Sequence, residues 1–206
     1  MTQRIELNRY RPDPQGLAEI DRILHQGGVI AYPTDSGYAL GCLMGSKKPL
    51  ETIKAIRQLD NTHNFTIICR DLAQIANFAK VNTQTFRLLK KATPGHYTFI
   101  LPATSKVPVV MMNKSKKTIG IRIPDHEIPL AITEQLKMPL LSSTFILPDQ
   151  ETPVTYLDDI PADVASQIDC IVETDYCGMQ PTTVVDMTLS PAEILRVGGG
   201  STSLFD

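Results

Sequence analysis

The chain has 206 residues, 42% of them hydrophobic, with 15 prolines and a net charge of -2, enough to bury a substantial core in one loop-rich domain over 1–206. No apolar run approaches the ~18 residues of a membrane span and the polar first residues carry no secretory pattern, so the expectation is a cytoplasmic protein with no membrane partner. The four cysteines form no C-x-x-C pair, and Cys69 sits in the apolar run FTIIC, which argues against a disulfide framework.

Asp13 followed by Pro14 starts a helix with Leu17, Ile20, Ile23 and Leu24 on one face, and Gly27 and Gly28 end it. Val29, Ile30 and Ala31 make a short buried strand closed by Pro33; Thr34, Asp35 and Ser36 then precede Gly37 and Gly41, which frame a second apolar run. A strand ending in hydroxyls and glycines reads either as a ligand-binding loop or as a tight turn between two strands. Ser46 caps a second helix with Leu50, Ile53, Ile56 and Leu59 on its buried side, and FTIICR follows as a strand. Helices are predicted over 71–79 and 83–91, and Pro94-Gly95 interrupts the chain before strand YTFIL. Beyond a Lys-rich loop over 105–117 come strand TIGIRIP, a helix over 128–136, and strand PLLSSTFIL, which Pro148 closes. The acidic stretch 156–167 reads as one surface helix, followed by strand IDCIVE, a turn at Gly178, and strands TTVVDM and EILRV. This alternation predicts an α/β fold: a single twisted, mixed open sheet of about seven strands flanked by helices, with a concave ligand groove at strand ends.

Charge is unevenly distributed. Residues 1–71 hold 9 Lys/Arg and 8 Asp/Glu, residues 72–124 hold 9 and none, and residues 125–206 hold 2 and 14. The acid-free middle, with Lys90, Lys91, Lys114, Lys116 and Lys117 among its cations, suits a polyanion such as RNA or a phosphate chain; the competing reading is a solvated face that the acidic last third neutralises on folding.

Thr34, Ser36, Arg57, Arg122, Thr182, Thr183 and Arg196 share a character suited to holding anions. Arg122 alternates with Ile121 and Ile123 and so faces away from them. Arg196 stands beside Gly198, Gly199 and Gly200, which leave room for a ligand against the backbone; it either clamps a phosphate or carboxylate or pairs with an acid of the last third. His25, His63, His96 and His126 have no metal-ligand spacing, so no metal site is predicted, and the chain has no P-loop, dinucleotide fingerprint or G-x-S-x-G elbow.

In their order, these motifs resemble the YrdC/YciO family, which includes the threonylcarbamoyl-AMP synthases of tRNA modification. GGVIAYPTDSGYALGC is similar to that family's opening strand and loop, TPGHYTFILPA to its T-P-G-x-x-T-F segment and TIGIRIPDHEIP to its V-R-x-P-x-H segment. LSSTFI resembles its S-T-S-A-N segment and TTVVDM with ILRVGG its closing pair, so the likeness covers about 17–199, and IRQLDNTHNFTIICRD looks most like the YciO branch. The resemblance implies a YrdC-like fold and a reaction joining L-threonine, bicarbonate and ATP, supplied as its Mg complex, into threonylcarbamoyl-AMP with release of pyrophosphate. No permanently bound cofactor is implied. Carried over residue by residue, the resemblance implies that Thr34 bonds the threonine or adenylate end, Arg57 holds threonine's carboxylate or the phosphates, and Arg122 faces the phosphate chain. It implies that Ser142 and Thr144 bond the nucleotide, Thr182 fixes its ribose or phosphate, Arg196 clamps it, and His63 is a further contact.

Two positions depart from the synthase pattern. Ala55 stands where K-x-R has its lysine, with Lys54 one residue, roughly 100°, around the helix; Ile146 stands where the asparagine belongs, removing a donor and an acceptor together. The expectation is a monomeric nucleotide- and double-stranded-RNA-binding protein with weak or altered synthase chemistry. Retention of Thr34, Arg57, Arg122 and Arg196 supports the alternative, an active synthase serving tRNA threonylcarbamoylation.

Overall fold

The structure, a computed structural model, describes residues 2–60, 63–113 and 115–205. Its elements run β1 (Gln3–Glu6), α1 (Pro14–His25), β2 (Ile30–Thr34), β3 (Gly37–Leu43), α2 (Lys47–Arg57), β4 (Thr66–Ile68), α3 (Leu72–Phe78) and α4 (Thr83–Ala92). There follow β5 (Tyr97–Pro102), β6 (Thr118–Arg122), α5 (Glu127–Leu136), β7 (Leu140–Thr144), α6 (Ala162–Ala165), β8 (Cys170–Glu173), β9 (Thr183–Asp186) and β10 (Glu193–Arg196). All the strands join one mixed sheet in the order β1, β8, β2, β3, β7, β4, β6, β5, β9, β10. The α/β class and the open, helix-flanked sheet are as predicted, but the described residues form ten strands rather than about seven.

Each departure has a local cause. β1 is mostly exposed and has no apolar alternation; it is a strand because its backbone pairs in parallel with β8, Gln3 opposite Cys170. The acidic stretch is not one helix but a 3-10 turn at Leu157–Asp159 followed by the single-turn α6. Pro161 divides them, since proline disfavours a helical conformation in the residue before it, and Ile160 is extended with ψ 116°. The Phe145 N–H still donates to Tyr38 O of β3, but the Ile146 N–H folds back onto Thr144 O, and the strand goes no further. The Asp13 side chain caps α1 by accepting from Gly16 N–H, whereas Ser46 holds the N-cap position of α2 without a side-chain bond.

Strand alternation sends two different surfaces to the two sides of the sheet. One side carries Ala31, Leu40, Ile67, Phe99, Ile121, Leu141 and Val185 into a large core closed by Leu50, Ile53 and Ile56 of α2, Ile75 of α3 and Leu89 of α4. The other side is apolar over only part of its width: Ile30, Tyr32, Ile68, Leu140 and Val172 lie beneath Ile20, Ile23 and Leu24 of α1 and Ile128, Ile132 and Leu136 of α5. Each of those helix side chains stabilises the pairing by roughly 1.5–3 kcal/mol through burial. On the same side, past the reach of α1 and α5, the strands turn polar. Leu140 gives way to Ser142, Ile68 to Thr66, and the register sets Ser142 opposite Thr66 and Thr66 opposite Gly120. No helix among the described residues is long and apolar enough to cross a membrane.

Candidate functional site

The uncovered part of the sheet is the floor of a cavity of about 360 Å³. Its lining comes from separate elements: Thr34 and Ser36 at the β2–β3 turn, Arg57 at the end of α2, His63 and Thr66 before and in β4, Thr98 on β5, and Arg122 on β6. Ser142, Thr144 and Ile146 come from β7 and the residues after it, Thr182 from the residue before β9, and Leu195 and Arg196 from β10. All eight predicted catalytic and nucleotide-contacting positions, Thr34, Arg57, His63, Arg122, Ser142, Thr144, Thr182 and Arg196, therefore face one space. The β2–β3 connection is the tight turn of the second reading, with Thr34 paired to Gly37 across two residues, and the turn edges the cavity.

Each arginine is held by a different arrangement. Arg122, 8% exposed, donates from Nη1 to Ser36 Oγ at 2.9 Å and from Nη2 to the carboxylate of Asp35, itself 2% exposed. The second carboxylate oxygen of Asp35 accepts from Asp125 N–H at 3.2 Å. His96 Nδ1 lies 3.8 Å from that oxygen, too far for a hydrogen bond, and is buried without a partner among the described residues. Arg57 Nη1 donates to Thr144 O at 2.8 Å, and its Nε is buried without a hydrogen-bond partner among the described residues. Arg196 donates from Nε to Thr182 O and from Nη2 to Thr182 Oγ1, both at 3.0 Å, so among the described residues it is fastened by a backbone carbonyl and a hydroxyl and not by an acid. Burial lowers the pKa of Arg57 and Arg196, with the positive charge of Arg122 adding to the effect on Arg196. Burial, and then the Arg57 charge, lower that of His63.

Hydroxyls complete the wall. Tyr32 donates to Ser142 Oγ at 2.7 Å, Thr98 and Thr182 share a 2.8 Å hydroxyl contact, and Thr34 Oγ1 donates to Gly37 O at 2.6 Å while accepting from Ser36 N–H. Gly120 has no room for a side chain, since a Cβ there would lie 2.6 Å from Thr66 Oγ1. A β-bulge between Ile194 and Arg196 interrupts the β9–β10 register, and it explains how the consecutive residues Leu195 and Arg196 both reach the cavity.

Several expectations are corrected. Gly198, Gly199 and Gly200 do not line the cavity. A Cβ at Gly198 would lie 2.2 Å from Pro181 O and one at Gly200 2.4 Å from the Tyr97 ring, so these glycines serve close packing against β9 and β5. Thr183 is likewise structural, donating to Gly200 O and accepting from Gly198 N–H. Lys54 turns away to donate to Glu51 at 2.8 Å and lines a neighbouring cavity of about 230 Å³, while Ala55 is exposed. Lys90, Lys91, Lys116 and Lys117 are exposed outside the cavity, and Lys114 lies outside the described residues. Among the described residues Arg122 is the only Lys or Arg of the middle segment in an ion pair, and its partner Asp35 is not from the acidic last third, so no ion pair between described residues joins the basic and acidic segments. Asp35 is expected only as a polar loop residue, and Tyr32, Thr66 and Thr98 join the expected residues at the site. The signal for the two threonines is their alternation with large core side chains, Thr66 beside Ile67 and Thr98 beside Phe99.

A sheet side half covered by helices and half open as an arginine- and hydroxyl-lined pocket defines the class: a mixed α/β protein with a cationic cavity on its sheet. The family model Sua5/yciO/yrdC, described as "Telomere recombination", matches residues 22–198, and the chain belongs to that family. It is 44% identical over 206 residues to a Haemophilus influenzae protein, covering 100% of both chains. It is 40% identical to Escherichia coli YciO, whose crystal structure superposes with a TM-score of 0.95 over 100% of both chains. P. abyssi Sua5 shares the fold with a TM-score of 0.85 and 25% identity, over 96% of this chain and 61% of that one.

Proposed function

We propose that this chain is a YciO-like nucleotide- and RNA-binding protein, acting as a monomer, whose cavity holds ATP with Mg or threonylcarbamoyl-AMP, with synthase turnover weak or altered. The observation that carries this reading is the convergence of Arg57, Arg122 and Arg196 with Thr34, Ser142, Thr144, Thr182 and His63 on one cavity. Separated guanidiniums hold anionic groups in fixed places, and hydroxyls orient them, so two substrates can be aligned without a covalent intermediate. The weakness of turnover follows from the two departures. Lys54 is bonded to Glu51 away from the cavity, and Ile146 lines it without a polar side-chain atom. Losing one transition-state contact costs ~10²-fold or more in rate.

RNA binding is supported by Lys90, Lys91, Lys116 and Lys117, exposed and without ion pairs among the described residues. Affinity for a short RNA duplex is expected to fall steeply with added salt and in the Lys116→Ala/Lys117→Ala variant; indifference to both removes RNA from the function.

Pyrophosphate release from ATP, measured with and without L-threonine and bicarbonate, tests the catalytic part. The proposal expects nucleotide binding with little threonine-dependent release. Robust release that is lost in Arg57→Ala replaces it with the alternative, an active synthase in which the carbamate carboxylate attacks the α-phosphorus and pyrophosphate leaves. That alternative draws on the same three arginines all facing the cavity.

A further inference from the structure

The charges that line the cavity are fewer than the arginines suggest. Arg122 spends its charge on the buried carboxylate of Asp35, and the two together are neutral. Lys54, the nearest stand-in for the missing lysine at Ala55, is paired with Glu51 outside the cavity. Among the described residues no Lys, Asp or Glu lines the space. Among the described residues Arg57 and Arg196 remain as the charges with no acidic partner. They lie apart, one fastened to β7 through Thr144 O and the other to Thr182 just before β9, with β4, β6 and β5 between those two strands.

Resting on the adenylate reading above, we infer that this cavity takes a nucleoside monophosphate or an acyl adenylate in preference to a free nucleoside triphosphate. A phosphomonoester carries about two negative charges at neutral pH. An acyl adenylate that ends in a carboxylate divides its charge between that group and one phosphate, which suits two separated guanidiniums. A triphosphate adds charge for which the wall holds no further unpaired cation among the described residues, and bringing uncompensated charge out of water is costly. Among the described residues no group of three His, Cys, Asp or Glu side chains is placed to hold a metal ion, so a Mg ion offsetting the surplus would arrive with the nucleotide. The cavity, about 360 Å³, is near the small end of the range for ligand pockets.

The test is titration calorimetry of the full chain with AMP, ADP and ATP at constant ionic strength, first in EDTA and then with Mg. In EDTA the affinities are expected to fall in that order, with ATP at least about tenfold weaker than AMP, and Mg is expected to narrow the gap. Ile146→Lys adds a cation to the lining at a half-buried position outside the strands and is expected to shrink the AMP-to-ATP ratio. The wild-type series decides the matter without any variant. ATP binding as tightly as AMP in EDTA overturns the inference while leaving nucleotide binding in place, whereas no heat with any of the three nucleotides overturns the adenylate reading as well.

Discussion

Replacing Asp35 by Asn isolates the buried ion pair that holds the cavity wall together. Asp35 is 2% exposed and accepts from Arg122 on one oxygen and from Asp125 N–H on the other. Asparagine has the same shape but only one acceptor oxygen, so its amide NH2 must confront either the guanidinium or the Asp125 N–H, donor against donor. The substitution also leaves Arg122, 8% exposed, as a buried charge without a counter-charge. Breaking a buried pair in this way costs about 3–5 kcal/mol, a large share of the roughly 5–15 kcal/mol of a whole protein. Urea unfolding reads it directly: with a slope of about 2 kcal/mol/M, the midpoint should fall by about 1.5–2.5 M at unchanged slope. Asp35→Asn/Arg122→Met removes both charges and should recover part of the loss, because the cost lies in the orphaned cation. A midpoint within about 0.5 M of wild type would refute the claim that this pair is desolvated and mutually dependent.

Three other outcomes follow from particular contacts. Gly178→Ala places a Cβ 1.8 Å from Asp35 O, a backbone atom that cannot step aside, and so breaks the 2.8 Å Gly178 N–H bond to Thr34 O. A loss of roughly 1–3 kcal/mol together with weaker nucleotide binding is expected, and wild-type values for both show that this loop does not brace the turn. Burial chiefly, helped by the Arg57 charge, lowers the pKa of His63 below its ordinary 6.5, so the unfolded chain binds the extra proton first. His63 therefore contributes stability that is complete above the unfolded pKa and lost as pH falls through the folded one. Unfolding free energy should decline below about pH 6.5, and less so in His63→Gln; identical pH profiles for the two proteins contradict this. Burial pushes the thiols of Cys42 and Cys170 up to about 12 and that of Cys177 to about 11. At pH 8 a thiol-specific disulfide reagent should label the native protein slowly and all four cysteines rapidly in denaturant, so fast native labelling of Cys42 or Cys170 counts against their burial.

Much of the architecture is legible along the chain because it is written in short-range chemistry. Asp13-Pro14 marks the start of α1, the spacing of Leu50, Ile53 and Ile56 marks the buried side of α2, and the alternation in TIGIRIP predicts that Arg122 leaves the core. β1 has no such record, since an edge strand of polar residues is formed by its neighbour's hydrogen bonds and not by its own side chains. The role of the three glycines after Arg196 was equally hidden. A glycine that admits a ligand and one that admits another strand look the same until the other strand is in place.

By itself the sequence determined which residue types were available and on which side of its own strand each would project, because a strand's period of two is a property of the backbone. It therefore supplied Arg57, Arg122 and Arg196, together with the loss of a lysine at Ala55 and of an asparagine at Ile146. Only the tertiary structure decided that α1 and α5 stop short of covering the sheet, that Asp35 takes the charge of Arg122, and that Lys54 turns to Glu51. The reason is range: strand order, the bulge before Arg196 and the reach of a helix depend on pairings between segments far apart in the chain, and no local pattern encodes which partner will be near.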